Sequence, residues 1–376
     1  MTGGRTWRTL GLMTGTSLDG VDACLADISL AGDGLAFDII ESVTVPLAGD
    51  IRQAIRAAQS GSPDDLAALH YRLGSLYADV GERIAAGQQV ALAGIHGQTI
   101  AHADGQHTLQ IGSPTALALR LGIPVVANFR EADITAGGRG APLMPFLDWL
   151  LCRGRAAGTL TLNIGGIANL AYVPAGADRE QVTGFDSGPG MCLIDAAAEQ
   201  LFGERGDLDG RFSSAGSVDQ ALLDELLAHP FIGQAPPKST GTDVFSPALV
   251  TEIIDRRRLP PADLLRTLVR FTALSVAENV HKFVPAPAGP TELVVSGGGA
   301  RHPLLKADLA AELRSWRWVT SEVLGVGPDA KEALLMAVLA VAKMEGIPGA
   351  MPGVTGAGRA LLLGQVTDVS PRPGAE

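Results

Sequence analysis

The sequence predicts an α/β fold built as two similar halves, and three observations carry that reading. Short apolar runs ending in glycine turns alternate with longer stretches whose apolar residues recur every three or four positions. A strand–glycine turn–strand unit opens the chain, and a second begins about 150 residues later, counting Gly15 to Gly165. The 376 residues are 46% hydrophobic, which is enough for two cores of ordinary size. Two such halves, each opening with a glycine hairpin too polar for a core, suggest a clamp around a cleft.

The elements follow in order. Leu10 to Met13 reads as a strand, Thr14 to Gly20 as turn chemistry, and Val21, Ala23 and Leu25 as the buried positions of a second strand. A third strand spans Phe37 to Pro46. Ser62, Pro63 and Asp65 form a capping-box start for a helix whose stripe is Leu66, Leu69, Leu73, Leu76, Val80 and Ile84. Val90 to Ile95 is a strand, Pro114 to Leu121 a helix stopped by Gly122, and Ile123 to Ala127 a strand. The second half repeats the opening with Thr159 to Asn163, a turn at Gly165-Gly166, and Ile167 to Val173. The echo is weak in identity, so it marks structural duplication only as a candidate. A helix from Asp263 to Phe283, a strand from Leu293 to Ser296, the turn Gly297-Gly298-Gly299 and a helix after Pro303 follow. Asp329 caps a last helix from Ala330 to about Met344.

Composition excludes several functions. A net charge of -11 argues against a nucleic-acid partner, which needs clustered Lys and Arg. It leaves room for ATP, which backbone N–H groups and a metal ion can hold. Cys24, Cys152 and Cys192 are isolated, against a disulfide framework or zinc ribbon and in keeping with a reducing cytoplasm. No apolar signal-peptide stretch stands at the N-terminus, and Gly158 to Ala177 reads as two strands rather than a membrane span.

Three glycine turns follow strands, and none is a Walker loop or a dinucleotide fingerprint. Thr14, Thr16 and Ser17 offer hydroxyls to phosphate oxygens, and Asp19 or Asp22 is a candidate for holding Mg²⁺. In Gly184-Phe185-Asp186-Ser187-Gly188-Pro189-Gly190, Asp186 leaves a strand, enters a rigid turn and precedes a helix from Met191 to Phe202. There it either takes a proton beside a bound phosphate or merely caps the helix. Gly94-Ile95-His96-Gly97-Gln98-Thr99 sets polar side chains at a strand end, where α/β domains bind ligands. Asn128, Arg130 and Asp133 follow another strand in the same way. His96, His102 and His107 lack the spacing of a metal site. Lys238-Ser239-Thr240-Gly241 reads as a polar loop that meets a phosphate or lies on the surface. Glu332 opens the last helix.

Together, GLMTGTSLDGVD, GIHGQT, NFREADITAGGRGAPL, LNIGGIANL, GFDSGPG, PPKSTG, SGGGARHPLL and PDAKEA resemble the anhydro-N-acetylmuramic acid kinases, in that family's order from Gly11 to about Ala333. The levoglucosan kinases share most of these motifs. The resemblance implies two ribonuclease-H-like domains of the actin/hexokinase/Hsp70 type around a nucleotide cleft. It implies use of ATP and Mg²⁺, and a reaction that opens a 1,6-anhydro sugar and phosphorylates O6 in peptidoglycan recycling. Asp186 falls on the catalytic aspartate. Gly15, Thr16, Ser17, Leu18, Asp19, Gly20, Val21 and Asp22 fall on the nucleotide motif, with Gly165, Gly166, Gly297, Gly298 and Gly299. His96, Gln98, Thr99, Arg130 and Glu332 fall on the sugar side. A cytoplasmic homodimer is implied, without nucleic-acid or membrane partners. The domain boundary, set by a pattern change near Asn128 to Ala141, gives residues 1–128 with about 350–376 as domain I, and 129–349 as domain II.

The sequence departs from the family pattern at Arg139, Ser187, Met191, Thr242-Asp243 and His302, which opens the question of the sugar. Two alternatives follow: a kinase for another anhydro sugar such as levoglucosan, or a non-catalytic nucleotide-gated interaction protein.

Overall fold

The computed structural model describes residues 5–15, 18–31, 34–58, 60–285, 289–327 and 330–369. In chain order the strands are β1 (Thr6–Thr14), β2 (Gly20–Ala31), β3 (Gly34–Pro46), β4 (Leu92–His96), β5 (Gln98–Ala103), β6 (His107–Ile111), β7 (Val125–Ala127), β8 (Gly158–Ile164), β9 (Ile167–Val173), β10 (Thr183–Pro189), β11 (Thr291–Ser296), β12 (Arg317–Val319) and β13 (Gln365–Thr367). They divide between two compact units, Met1–Leu150 with Val326–Glu376, and Leu151–Gly325.

In unit 1 the sheet order is β13-β7-β4-β1-β2-β3. β1, β2 and β3 form an antiparallel meander. β4 then pairs parallel to β1, and β7 parallel to β4. β5 and β6 make a separate hairpin. In unit 2 the order is β10-β9-β8-β11-β12. Again three strands form an antiparallel meander, and β11 and β12 add in parallel beyond the first of them. Apart from β13, which adds antiparallel to β7 in unit 1, the two units therefore share one strand order, so the weak sequence echo is a duplication of topology. It is the ribonuclease-H-like α/β arrangement, twice.

Parallel neighbours need crossovers, and helices supply them. Pro63–Ala85 precedes β4, Pro114–Leu121 precedes β7, Pro261–Phe283 precedes β11, and Pro303–Glu312 precedes β12. The first starts as the capping box requires: Ser62 Oγ accepts from Asp65 N, and Asp65 accepts from Ser62 N. Its Leu69, Leu73, Tyr77, Val80 and Ile84 are buried in the unit 1 core with Leu10, Leu12 and Leu25. Gly122 ends the second helix in the left-handed region, at φ 66°, where a Cβ would be strained. In unit 2, Leu264, Leu268 and Phe271 pack with Leu160, Leu162 and Phe185.

The units do not divide where the sequence pattern changes. Residues 129–150 and 326–349 belong to unit 1, not to the second domain. The reason is the helix Lys331–Met344, which lies on β1 and β4. Gly11 and Gly94 are opposite one another on those strands. A Cβ on Gly11 would sit 1.8 Å from the Ala333 carbonyl oxygen, and one on Gly94 2.1 Å from that of Met336. The helix backbone thus rests directly on two glycines. Asp133 ties in the other segment, accepting from Gly140 N at 2.7 Å and from Thr355 Oγ1 at 2.7 Å. The cap expected of Asp329 lies outside the described residues.

Overpacking of this kind costs typically 1–3 kcal/mol, and more where only backbone can yield. Gly11→Ala is therefore expected to destabilise the protein by at least about 2 kcal/mol, read as a lower urea midpoint. An unchanged midpoint would mean that the helix shifts away freely.

Candidate functional site

In unit 2 the chemistry gathers at one end of the sheet. β8 and β10 both run antiparallel to β9, and β11 runs parallel to β8. The C-terminal ends of β8, β10 and β11 therefore share one edge, with Gly165-Gly166, Asp186 to Gly190, and Gly297 to Gly299. Gly297 and Gly299 are required by close packing, because a Cβ on either would strike Ile164 at 2.5 Å or less. Gly298 is exposed and open.

Asp186 does not leave the strand, as the sequence suggested; it lies within β10. The pairing shifts register between Asp186 and Gly188, so a bulge at Ser187 re-aims the chain. Gly188 takes a φ of 144°. Asp186 is 9% exposed, and its Oδ2 accepts from the Thr240 N–H at 2.9 Å. Its own N–H donates to the Lys238 carbonyl at 3.3 Å. The helix begins at Cys192 with Met191 as its cap residue, so Asp186 is not a helix cap.

That helix start is also less open to an anion than its sequence implies. The N–H groups of Gly190 and Cys192 donate to the Gly166 carbonyl, and that of Met191 to the Gly165 carbonyl, at 2.8–3.1 Å. These bonds lock the hairpin turn to the end of β10. Gly190 permits them, since a Cβ there would lie 2.3 Å from the Gly165 oxygen.

Sequence reading missed the support behind this turn. Thr272, Ser275 and Asn279 are buried on the helix Pro261–Phe283. Thr272 Oγ1 donates to the Gly190 carbonyl at 2.9 Å, and Asn279 Nδ2 to the Ser187 carbonyl at 3.2 Å. The available signal was three polar residues, Thr272, Ser275 and Asn279, spaced three and four apart so that they share one face of an amphipathic helix. Lys238 is a correction: it is 1% exposed, not a surface or phosphate contact.

In unit 1 the ends of β1 and β4 carry the other candidates. Thr16 and Ser17 lie outside the described residues. Thr14 is buried, and its hydroxyl is hydrogen-bonded to Tyr77 Oη at 2.6 Å, so it is not presented to a phosphate. Gly15 follows β1 and its carbonyl accepts from Leu18 N at 3.4 Å, Leu18 is buried with φ 56°, and Gly20 and Val21 start β2. Asp19 is exposed and accepts from Gly20 N at 2.9 Å; Asp22 accepts from Thr44 Oγ1 at 2.5 Å.

His96 is buried, and Arg130 Nε donates to its Nε2 at 2.9 Å. Arg130 also donates to the Gly140 carbonyl at 2.7 Å. Nε2 is thus an acceptor, and the ring proton belongs on Nδ1. Burial, with the Arg130 charge, pulls the His96 pKa down to about 3. Gln98 is buried, with Oε1 unpaired among the described residues, as is His96 Nδ1. Thr99 Oγ1 accepts from Gln110 Nε2 at 3.4 Å. Glu332 is half-buried. Burial and then the Asp22 carboxylate push its pKa up, Asp19 adding to this, while Arg130 and Lys331 oppose it. The structure therefore brings His96, Arg130, Asp19, Asp22 and Glu332 into one electrostatic neighbourhood. Among the described residues, no group of three or more His, Cys, Asp or Glu is arranged to hold a metal ion.

The departures from the family pattern also find places. Met191 packs in the unit 2 core. Arg139 Nε lies 3.6 Å from Asp104 Oδ2. His302 Nδ1 accepts from Leu305 N at 3.2 Å, capping the helix Pro303–Glu312 as an Asn would. Ser187 Oγ donates to the Ala168 carbonyl at 3.0 Å.

Comparison with known proteins agrees over nearly the full length of the chain. A family model described as "Anhydro-N-acetylmuramic acid kinase" matches residues 7–369. Among curated relatives with that name, one from Salinibacter ruber is 40% identical over 98% of this chain and 98% of its own length. One from Gloeobacter violaceus is 38% identical over 95% and 97%, and one from Streptomyces coelicolor is 39% identical over 96% and 93%. Among the described residues, no helix is long and apolar enough to cross a membrane.

The His96 environment sets a pH dependence. With a folded pKa of about 3 against an ordinary 6.5, the unfolded chain binds more protons between those values. Stability then rises with pH across that window, and the contribution is lost as pH falls from 6.5 toward 3. His96→Asn is expected to flatten that part of a stability–pH curve. An equally steep loss in the variant would contradict the assignment.

Proposed function

The chain belongs to the anhydro-N-acetylmuramic acid kinase family, and we propose that it opens 1,6-anhydro-N-acetylmuramic acid hydrolytically and phosphorylates O6 at the expense of ATP, in peptidoglycan recycling. The observation that carries this reading is Asp186, a carboxylate held in a bulged strand by the Thr240 N–H at 2.9 Å, in a chain matched to the family from residue 7 to 369.

Asp186 takes a proton from a water molecule, and the water oxygen attacks the anomeric carbon. The C1–O6 bond breaks, its electron pair staying on O6. O6 then bonds to the γ-phosphorus of ATP, and ADP leaves. The new C1 hydroxyl carries the water oxygen. Attack on an acetal carbon by unassisted water is slow, so a carboxylate fixed before the substrate arrives supplies both the base and its orientation.

The nucleotide roles of Gly15 to Asp22, Gly165-Gly166 and Gly297 to Gly299 are part of the same proposal, as are the sugar contacts of His96, Gln98, Thr99, Arg130 and Glu332. Mg²⁺ would fit beside Asp19 and Asp22, since that ion takes one or two carboxylates together with phosphate oxygens. The Glu332 carboxyl is raised mainly by burial, with Asp22 and Asp19 adding to it, and a cation beside these two aspartates would offset their share. When bound, Mg²⁺ supplies charge neutralisation on the transferring phosphoryl group. A cytoplasmic homodimer completes the reading.

Of the positions that raise the question of another sugar, Met191 is turned into the core and His302 serves as a helix cap. Their side chains have structural work, so these two departures carry no argument for another sugar, and the family match supports the muramic one. The test is ADP release with Mg-ATP and a panel of anhydro sugars. Turnover is expected with anhydro-N-acetylmuramic acid, and Asp186→Asn should lower it by roughly 10²- to 10⁴-fold. Sugar-independent ADP release, or full activity in the variant, would refute the mechanism.

A further inference from the structure

Lys238 has no place in the reaction as proposed, yet it is among the least expected side chains in the molecule. A lysine that is 1% exposed needs a reason, because lysine is almost never fully buried without partners. Its Nζ donates to the Phe231 carbonyl at 3.0 Å and the Ile232 carbonyl at 3.2 Å. It also lies over three rings, 4.6 Å from the centroid of Phe231, 5.3 Å from Phe283 and 5.7 Å from Phe185. Carbonyl oxygens and ring faces are both partners for a cation.

The backbone of the same residue reaches Asp186. The Lys238 carbonyl accepts the Asp186 N–H, and two residues on, the Thr240 N–H donates to Asp186 Oδ2. Phe185, whose ring the ammonium faces, is the residue before Asp186. The segment 238–240 therefore holds Asp186 by backbone and carboxylate together, and the buried ammonium pins that segment to the turn at Phe231 and Ile232. Asn279 Nδ2 joins the arrangement, donating to the Ile232 and Ser187 carbonyls at 3.3 and 3.2 Å.

We infer that Lys238 is a positioning residue for Asp186: its buried cation anchors the strand-side loop that orients the carboxylate and places a fixed positive charge behind it. The charged groups that act on Lys238 are Asp186, which favours its charged form, and Lys282, which opposes it; burial is the largest influence and draws its pKa down to about 8. The ammonium thus remains mostly protonated at neutral pH. The charge is what distinguishes this from simple packing. A methionine would fill similar space but donate to neither carbonyl, leaving Phe231 O to the Gln234 N–H and Ile232 O to Asn279 Nδ2.

The inference rests on Asp186 as the base, and the experiment separates the two. Lys238→Met and Lys238→Arg would be compared with the wild type in ADP release with Mg-ATP and anhydro-N-acetylmuramic acid. Circular dichroism would establish that each variant is folded. Lys238→Met is expected to lower kcat about 10- to 100-fold, to change the sugar KM less than about threefold, and to move the acid limb of the kcat profile to higher pH. Lys238→Arg is expected to keep that limb at the wild-type pH, whatever its kcat. A folded Lys238→Met with wild-type kcat and pH profile would overturn the inference. So would a folded Arg variant whose acid limb moves to higher pH than that of the wild type, and this comparison stands even if Lys238→Met does not fold. If Asp186→Asn retains full turnover, the base assignment itself falls; if Asp186→Asn is inactive and Lys238→Met is normal, only the role of Lys238 falls.

Discussion

The fold depends on places where two backbones touch because no side chain stands between them. Gly11 and Gly94 let the helix Lys331–Met344 settle on β1 and β4. Gly190 lets the end of β10 close on the Gly165 carbonyl, and Gly297 and Gly299 let their turn close on Ile164. A methyl group at any of these positions would overlap backbone or a rigid neighbour, and a packed interior has little room to yield. The consequence for chemistry is positional. Glu332 is in the first turn of the helix that rests on Gly11, and so stands near Asp19, Asp22 and Arg130. Gly190 fixes the segment that follows Asp186.

This changes what the glycine-rich motifs mean. On sequence they are turns that could approach a phosphate. In the structure Gly20, Gly190, Gly297 and Gly299 are accounted for first by packing, whereas Gly166 and Gly298 are exposed, with no atom closer than 3.8 Å to where a Cβ would sit. Rigid scaffolding and ligand approach are compatible, because a loop that is locked before binding gives up less freedom when the ligand arrives. The same logic applies to Asp186. Its bulged strand, the Thr240 N–H and the Thr272 and Asn279 bonds behind it hold one arrangement in advance. Preorganisation of that kind is what the base role proposed for Asp186 would draw on.

Much of this was legible in the residues. The capping box at Ser62, the stop at Gly122 and the β8–β9 hairpin follow from local rules and occur where those rules place them. The duplication was visible as a strand–glycine–strand echo, although only the pairing order established it. What sequence could not give were relations set by distant partners. Residues 129–150 and 326–349 look continuous with the second half by pattern, but their packing assigns them to the first unit. Thr14 looks like a phosphate ligand until Tyr77, far along the chain, takes its hydroxyl. Lys238 looks like a surface charge in a polar loop until three phenylalanines from separate elements surround it. Asp186 looks like a helix cap because a bulge cannot be read from one strand alone.

The central claim is that water, activated by Asp186, supplies the new oxygen at the anomeric carbon while the sugar's own O6 receives the phosphoryl group. The most direct measurement runs the reaction in ¹⁸O-labelled water, quenches it early and locates the label by mass spectrometry of fragmented product. The account predicts one labelled oxygen at C1 and an unlabelled phosphate ester. Label in the phosphoryl group, or an early product with no label at C1, would contradict it.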